Sequence, residues 1–236
     1  MTRKQIALYI LTLISIFTLP AQEKLYNITD KPNFVFFAPL NMFESFNPAV
    51  QLGYERVLND RISAQVEGGI ILNKSIPDGI FFSDDYNSNS GFKIRGEVKY
   101  FLNIKKSSSR YLSCELFYTK NKSHADDYFI ASDTTYNYPV PLSDDRIGKS
   151  YEDRFINDKQ KIGLNIKTGY KFTFGSLFIE PQLGIGIAYR MSKHSERIKP
   201  DDKIYTSDAY YSISPNQAGN IVLLNIPINI KIGVRF

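Results

Sequence analysis

The chain is 236 residues long with 43% hydrophobic and 22% charged residues, a balance that supports one folded domain and excludes both a disordered chain and two full-sized catalytic domains. Its 17 Phe and 16 Tyr with no Trp make it unusually aromatic. The formal charge of +5 falls to +3 once Arg3 and Lys4 are discounted, too little to argue for a nucleic-acid partner, and the single Cys114 excludes an internal disulfide and any multi-cysteine zinc or iron–sulfur site.

In chain order, Thr2-Arg3-Lys4-Gln5 precedes an apolar run from Ile6 to Leu19, followed by Pro20-Ala21-Gln22. This order of charged, apolar and small residues predicts a secretory signal cut after Ala21, because the run is shorter than the roughly 20 residues a membrane-crossing helix needs. Residues 1–21 are thus expected to be removed, leaving 22–236 as a single domain.

From Asn33 onward the hydropathy alternates with a period of two, which predicts strands with two chemically different faces. Phe34 to Leu40 alternates poorly. Val50, Leu52 and Tyr54 oppose Gln51, Gly53 and Glu55, and Ile62 to Leu72 places Gln65 and Glu67 opposite Val66 and Ile70. Phe92 to Leu102 sets Lys93, Arg95, Glu97 and Lys99 against Ile94 and Val98, and Leu112 to Tyr118 sets Glu115 against Cys114 and Leu116. Ile162 to Phe172 carries Lys167 and Lys171 opposite Leu164 and Ile166, while Leu177 to Arg190 carries Glu180 and Arg190 opposite Ile185 and Ile187. The clearest case is Val222 to Phe236, where Asn229, Lys231 and Arg235 alternate with Ile228, Ile230, Ile232 and Val234.

Eight such strands, most of about ten residues, match what a tilted strand needs to cross a bilayer. Their connections alternate between tight turns, as at Leu58–Asp60 and Thr173–Ser176, and long loops over Asn73–Ser90, Lys120–Asp158 and Ser192–Gly219. That segregation predicts an up-and-down antiparallel barrel with short turns at one end and long loops at the other.

Alternation alone leaves open whether the apolar face lines a cavity, as in a soluble lipocalin-like barrel holding an apolar ligand, or meets lipid around a polar interior. Lipid is favoured by mixed charges in mid-strand, which predict an interior ionic cluster of Glu67, Arg95, Glu97, Glu115, Lys167, Glu180, Arg190 and Lys231. Aromatics at the strand ends point the same way: Tyr100, Tyr111, Phe172 and Phe174 beside the turns, and Tyr118 and Tyr189 beside the loops, read as two interfacial girdles. Gly163, Gly169, Gly184, Gly186 and Gly233 share the polar face, which suits close packing in a narrow lumen.

The terminal segment Ile228-Asn229-Ile230-Lys231-Ile232-Gly233-Val234-Arg235-Phe236, with Leu52-Gly53-Tyr54-Glu55-Arg56 and Lys99-Tyr100-Phe101-Leu102, resembles the small eight-stranded outer-membrane β-barrel proteins of Gram-negative bacteria, the OmpA/OmpX-like membrane-barrel class. The resemblance implies an outer-membrane location, contact with outer-membrane lipids, and Phe236 as the signal read by the barrel-assembly machinery. It also implies a structural or surface-interaction role rather than an enzymatic one.

An eight-stranded barrel holds little more than its own side chains, so a diffusion pore is not expected and function is placed in the long loops. Candidate loop residues there are Asp84, Asp85, Tyr86, Asp126, Asp127, Tyr128, Asp144, Asp145, Asp201 and Asp202. Tyrosines offer contact area to a surface protein or glycan partner. No Asp spacing matches a calcium-binding loop, so the pairs read as solvated turn formers, and no metal or cofactor is expected. A lipid-modifying or proteolytic enzyme would need a preorganised base and nucleophile; His124 and His194 are the only histidines, and neither Gly-x-Ser-x-Gly nor His-Glu-x-x-His occurs.

Overall fold

The computed structural model describes residues 32–43, 47–72, 89–105, 107–130, 150–200, 202–204 and 216–236. The expected leader at 1–21 lies outside them. The strands are β1 (Asn33–Phe37), β2 (Ala49–Val57), β3 (Ile62–Ile71), β4 (Asn89–Ile104), β5 (Ser108–Ile130), β6 (Ser150–Phe174), β7 (Leu177–Ser195), β8 (Lys203–Ile204), β9 (Gly219–Asn225) and β10 (Ile228–Arg235), with a 3₁₀ turn over Pro39–Phe43. β9 and β10 are two halves of one strand, broken at Ile226-Pro227, and β8 is a two-residue rung on β5. The rest is an eight-stranded antiparallel barrel, closed where Phe34–Phe37 of β1 meet Ile232–Arg235 of β10.

Both chain ends of the barrel and its tight turns share one end. Asn33 and Phe236 exchange two backbone hydrogen bonds of 2.9 and 3.0 Å. The β2–β3 turn is held by Asn59, whose side-chain oxygen accepts from the N–H groups of Arg61 and Ile62 at 2.9 Å. The β6–β7 turn needs only Gly175 and Ser176, and Gly175 sits at φ 63°, where a side chain would be strained.

The barrel wall sorts side chains by alternation. On β4, Lys93, Glu97 and Lys99 are buried while Phe92, Ile94 and Val98 are exposed; β6 and β7 repeat the pattern with Leu164, Ile166, Ile185 and Ile187 outside. A bulge between Phe101 and Asn103 changes the phase, so Phe101 and Ile104 both turn inward. Along β4 the outer band from Phe92 to Leu102 measures about 33 Å, which at a strand tilt of about 40° rises about 25 Å along the barrel axis.

Three expectations need correction. The stretch Lys120–Asp158 is not one long loop: β5 runs on to Ile130 and β6 begins at Ser150, paired residue by residue from Lys120↔Gln160 to Ile130↔Ser150. The two strands therefore project past the apolar band as a hairpin arm, and there the polarity inverts, with Ala125, Phe129, Tyr151 and Phe155 buried inside and Glu152 and Arg154 exposed outside. Likewise β7 runs through Ser192 to Ser195. Finally, Tyr111 belongs to no girdle; it lies one step out of phase with Leu112, points into the barrel and is fully buried.

The first strand alternates poorly because its aromatics pack inward. Phe34 meets Phe178 edge-on with ring centroids 5.2 Å apart, and Phe36 lies over Gly53, where a Cβ would overlap its ring. With Val57, these rings plug the turn end of the lumen.

Candidate functional site

Behind the aromatic plug, the inner half of the barrel is filled by a fully buried ionic network. Lys171, its ammonium 3.9 Å from the Phe34 ring centroid, donates to Glu55 at 2.7 Å and lies 3.3 Å from Glu180. Lys99 donates to Glu55 and Glu180, both at 2.6 Å, and the Tyr111 hydroxyl donates to Glu180 at 2.8 Å. One layer farther out, Lys231 donates to Glu97 at 3.0 Å and approaches Glu67 and Glu180 at 3.8 Å. Lys167 bridges Glu97 at 2.7 Å and Glu115 at 2.6 Å, and Asn165 donates to Glu115 at 2.7 Å.

These strands supply the network because each inward position of a narrow barrel faces the axis, where side chains from distant strands meet. The long, flexible stems of lysine and glutamate reach across it. Charges taken out of water cost several kcal/mol each, so they persist only when mutually paired, and here Glu55, Glu67, Glu97, Glu115 and Glu180 face Lys99, Lys167, Lys171 and Lys231.

The structure brings together Glu67, Glu97, Glu115, Lys167, Glu180 and Lys231 of the sequence-predicted cluster, and adds Glu55, Lys99, Lys171 and Tyr111. Their place on the polar face was the available signal. Arg95 and Arg190 are only half-buried and sit farther out, around a cavity of about 340 Å3. That cavity also departs from expectation: among the described residues, side chains leave this part of the lumen open, with Thr119, Asn165 and Asn225 along its lining.

Beyond the band, the hairpin arm carries its own small core. Phe129 stacks edge-on against Phe155 at 5.4 Å, and the Arg197 guanidinium carbon lies 3.4 Å from the Phe129 ring centroid while its Nε donates to Asp153 at 2.9 Å. Tyr151 donates to Asp202 at 2.9 Å; burial pushes its phenol up to about 12, with that hydrogen bond adding to the effect. Burial also holds His194 below the usual imidazole range, helped by nearby Arg197 and Lys159, while its ring N–H donates to the Asn216 carbonyl.

Asp126, Asp127 and Tyr128 thus stand on a strand rather than in a loop, and Asp202 is buried rather than solvated. Arg154 grips Asp126 with two hydrogen bonds of 2.8 and 3.0 Å, which hold that carboxyl below the usual range. Asp84, Asp85, Tyr86, Asp144, Asp145 and Asp201 lie outside the described residues. Among the described residues, no group of three or more His, Cys, Asp or Glu is placed to hold a metal ion. His124 and His194 alternate onto opposite faces of the wall.

The chain is therefore an all-β protein, an eight-stranded antiparallel closed barrel with a polar, ionic interior. No family model and no curated protein matches it. Among solved structures it is similar to the crystal structure of a major outer membrane protein from Thermus thermophilus, with 10% identity and a TM-score of 0.43, over 87% of this chain and 98% of that one.

Proposed function

We propose that this chain is an integral outer-membrane β-barrel of the small eight-stranded class, with a structural or surface-interaction role and no catalysis. The observation that carries the reading is the sense of the alternation: aliphatic side chains such as Ile70, Val98, Ile166, Ile187 and Leu224 are exposed around the wall while nine paired Lys and Glu side chains fill the interior. An aqueous barrel holding an apolar ligand would need the reverse, and so large an apolar belt in water would drive aggregation.

The ordered arm supports the surface role. Its aromatic and arginine core holds a polar outer face, including Lys122, Asp126, Tyr128, Glu152 and Arg154, clear of the apolar band, where a protein or glycan partner would meet it. Insertion by the barrel-assembly machinery through the β10 segment and Phe236 belongs to the same reading.

Cell fractionation tests it. The full chain is expected in the outer-membrane fraction, resistant to carbonate extraction, and to run faster on gels unheated than boiled. Carbonate-soluble protein without heat-modifiable mobility would overturn the reading.

A further inference from the structure

The crossover that leaves β7 at Ser195 and reaches β8 at Lys203 bends at Glu196, whose φ of 62° is a left-handed conformation that strains a residue carrying a Cβ. Beyond the bend, Arg197 lies over the arm's aromatic core, its guanidinium against the Phe129 ring and its Nε on Asp153. The Ile198 N–H donates to the same Asp153 oxygen at 3.1 Å, and Arg197 Nη2 donates to the Asp202 carbonyl at 3.2 Å. A strained bend persists only while its surroundings hold it, and the Arg197 anchor supplies that hold.

His194 meets the anchor from the end of β7. Its Nε2 faces the Asn216 carbonyl, which can only accept, so the proton of the neutral ring sits on Nε2 and Nδ1 carries the lone pair. Arg197 Nη1 donates to that Nδ1 at 3.5 Å. Asn216 is tied across the arm as well: its Nδ2 donates to Asp127 at 3.3 Å, and Asn157 Nδ2 donates to its carbonyl at 3.4 Å. The imidazole packs against Phe155 with ring centroids 4.4 Å apart. Among the described residues, the charged groups that face it are Arg197 on the crossover, Lys159 on β6 and Asp127 on β5.

Protonation keeps one of these contacts and reverses the other. The imidazolium retains its N–H on Asn216 but gains a second N–H at Nδ1, aimed at a guanidinium that has only donors to offer. We propose that His194 is an acid-operated latch: neutral, it seats Arg197 on the arm's core; protonated, it expels the guanidinium, so the bend at Glu196 relaxes and the crossover lifts from Phe129 and Phe155. The fold favours the neutral ring, because burial and Arg197 oppose its charge. The latch is therefore intact above the free imidazole's value of about 6.5 and is lost as pH falls through the lower value of the folded arm. Acid thus uncovers an aromatic surface beyond the apolar band. The latch is built from the arm alone, whatever the barrel wall faces.

The test is hydrogen exchange by mass spectrometry on the refolded full chain in neutral maltoside micelles. The two histidines are followed in parallel by NMR of 13C-labelled rings, with His124→Gln assigning the signals. Protection of the Arg197, Ile198 and Lys199 amides, corrected for intrinsic exchange, is expected to fall roughly tenfold between about pH 7.5 and about pH 5. Its midpoint should coincide with the His194 titration, below the free value, while the β4 amides stay protected. The fall is expected to survive in His124→Gln and to vanish in His194→Gln, which can donate to Asn216 without titrating. Protection that holds through the His194 titration would overturn the latch, as would a His194 that titrates at or above the free value, or a loss shared with β4. Those results are read on the wild-type chain, so they decide the matter even where a variant fails to fold. A fall unchanged in His194→Gln would assign the effect to another group and overturn the latch too.

Discussion

Glu180 is the carboxylate on which the inner network depends most, so Glu180→Gln is the most informative single change. The substitution keeps volume and hydrogen-bonding capacity but removes a charge that receives Lys99 at 2.6 Å and Tyr111 at 2.8 Å, with Lys171 at 3.3 Å and Lys231 at 3.8 Å. Lys99 and Lys171 then have Glu55 as their shared short-range carboxylate. Breaking a fully buried ion pair from one side costs about 3–5 kcal/mol, against less than about 1 kcal/mol for an exposed pair. Urea unfolding of the detergent-folded barrel, followed by far-ultraviolet circular dichroism and unheated gel mobility, measures the difference. The charge-balanced pair Glu180→Gln with Lys99→Met is expected to regain at least half the loss, because an apolar side chain in that place carries no desolvation cost. A Glu180→Gln barrel within about 1 kcal/mol of the parent would refute the reasoning, since it would mean that water reaches and screens the interior.

Two further outcomes follow from packing and titration. Gly169→Ala is expected to cost about 1–3 kcal/mol by overpacking, because its Cβ would overlap the anchored Tyr111 phenol and lie 2.9 Å from the Pro181 carbonyl oxygen, whereas Gly68→Ala, with nothing within 4 Å, is expected to be neutral in the same unfolding assay. The arm should open in alkali: the Tyr151 phenol, raised to about 12 by burial and Asp202, favours the protonated form in the fold, so its contribution is intact below the free phenol's value of about 10 and is lost as pH rises through about 12. Tyrosinate difference absorbance checks this, and Tyr151→Phe should remove the late-titrating phenol; a Tyr151 that titrates with the exposed tyrosines would contradict the buried arrangement.

Much of the wall was legible because one phase of alternation runs through β4, β6, β7 and β10: the register that puts Ile166 outside puts Lys167 inside, and the same holds for Ile179 and Glu180. The shared direction of the turns followed from their lengths. The arm was hidden for a physical reason. Past Tyr118 on β5 and before Ile162 on β6 the strand leaves the apolar band, so the outer face turns polar while Ala125, Phe129 and Phe155 turn inward. Directional alternation continues, but its chemical sign flips, and a search for one sign reads the region as loop.

The candidate sites were only partly legible for related reasons. Tyr111 could have been placed from its neighbour, since Leu112 outside forces Tyr111 inside. The axial partnership of Lys99, on β4, with Glu180, on β7, depends on strand stagger, which sequence spacing does not carry. The early end of β1 at Phe37 was hidden as well, because Phe34 and Phe36 blur that strand's pattern by packing over Gly53 and beside Phe178 on the face that is polar elsewhere.

The central claim is that the aliphatic face meets acyl chains, and the protein carries its own reporter for it. Cys114 is an exposed free thiol on the outer face of β5, between Leu112 and Leu116 and paired across the wall with Val98 and Ile166. A nitroxide attached to it in the full chain, reconstituted into vesicles, is expected to collide with dissolved oxygen far more than with a water-soluble nickel chelate, at a depth near mid-bilayer. A label relaxed mainly by the nickel chelate would put that face in water and contradict the account.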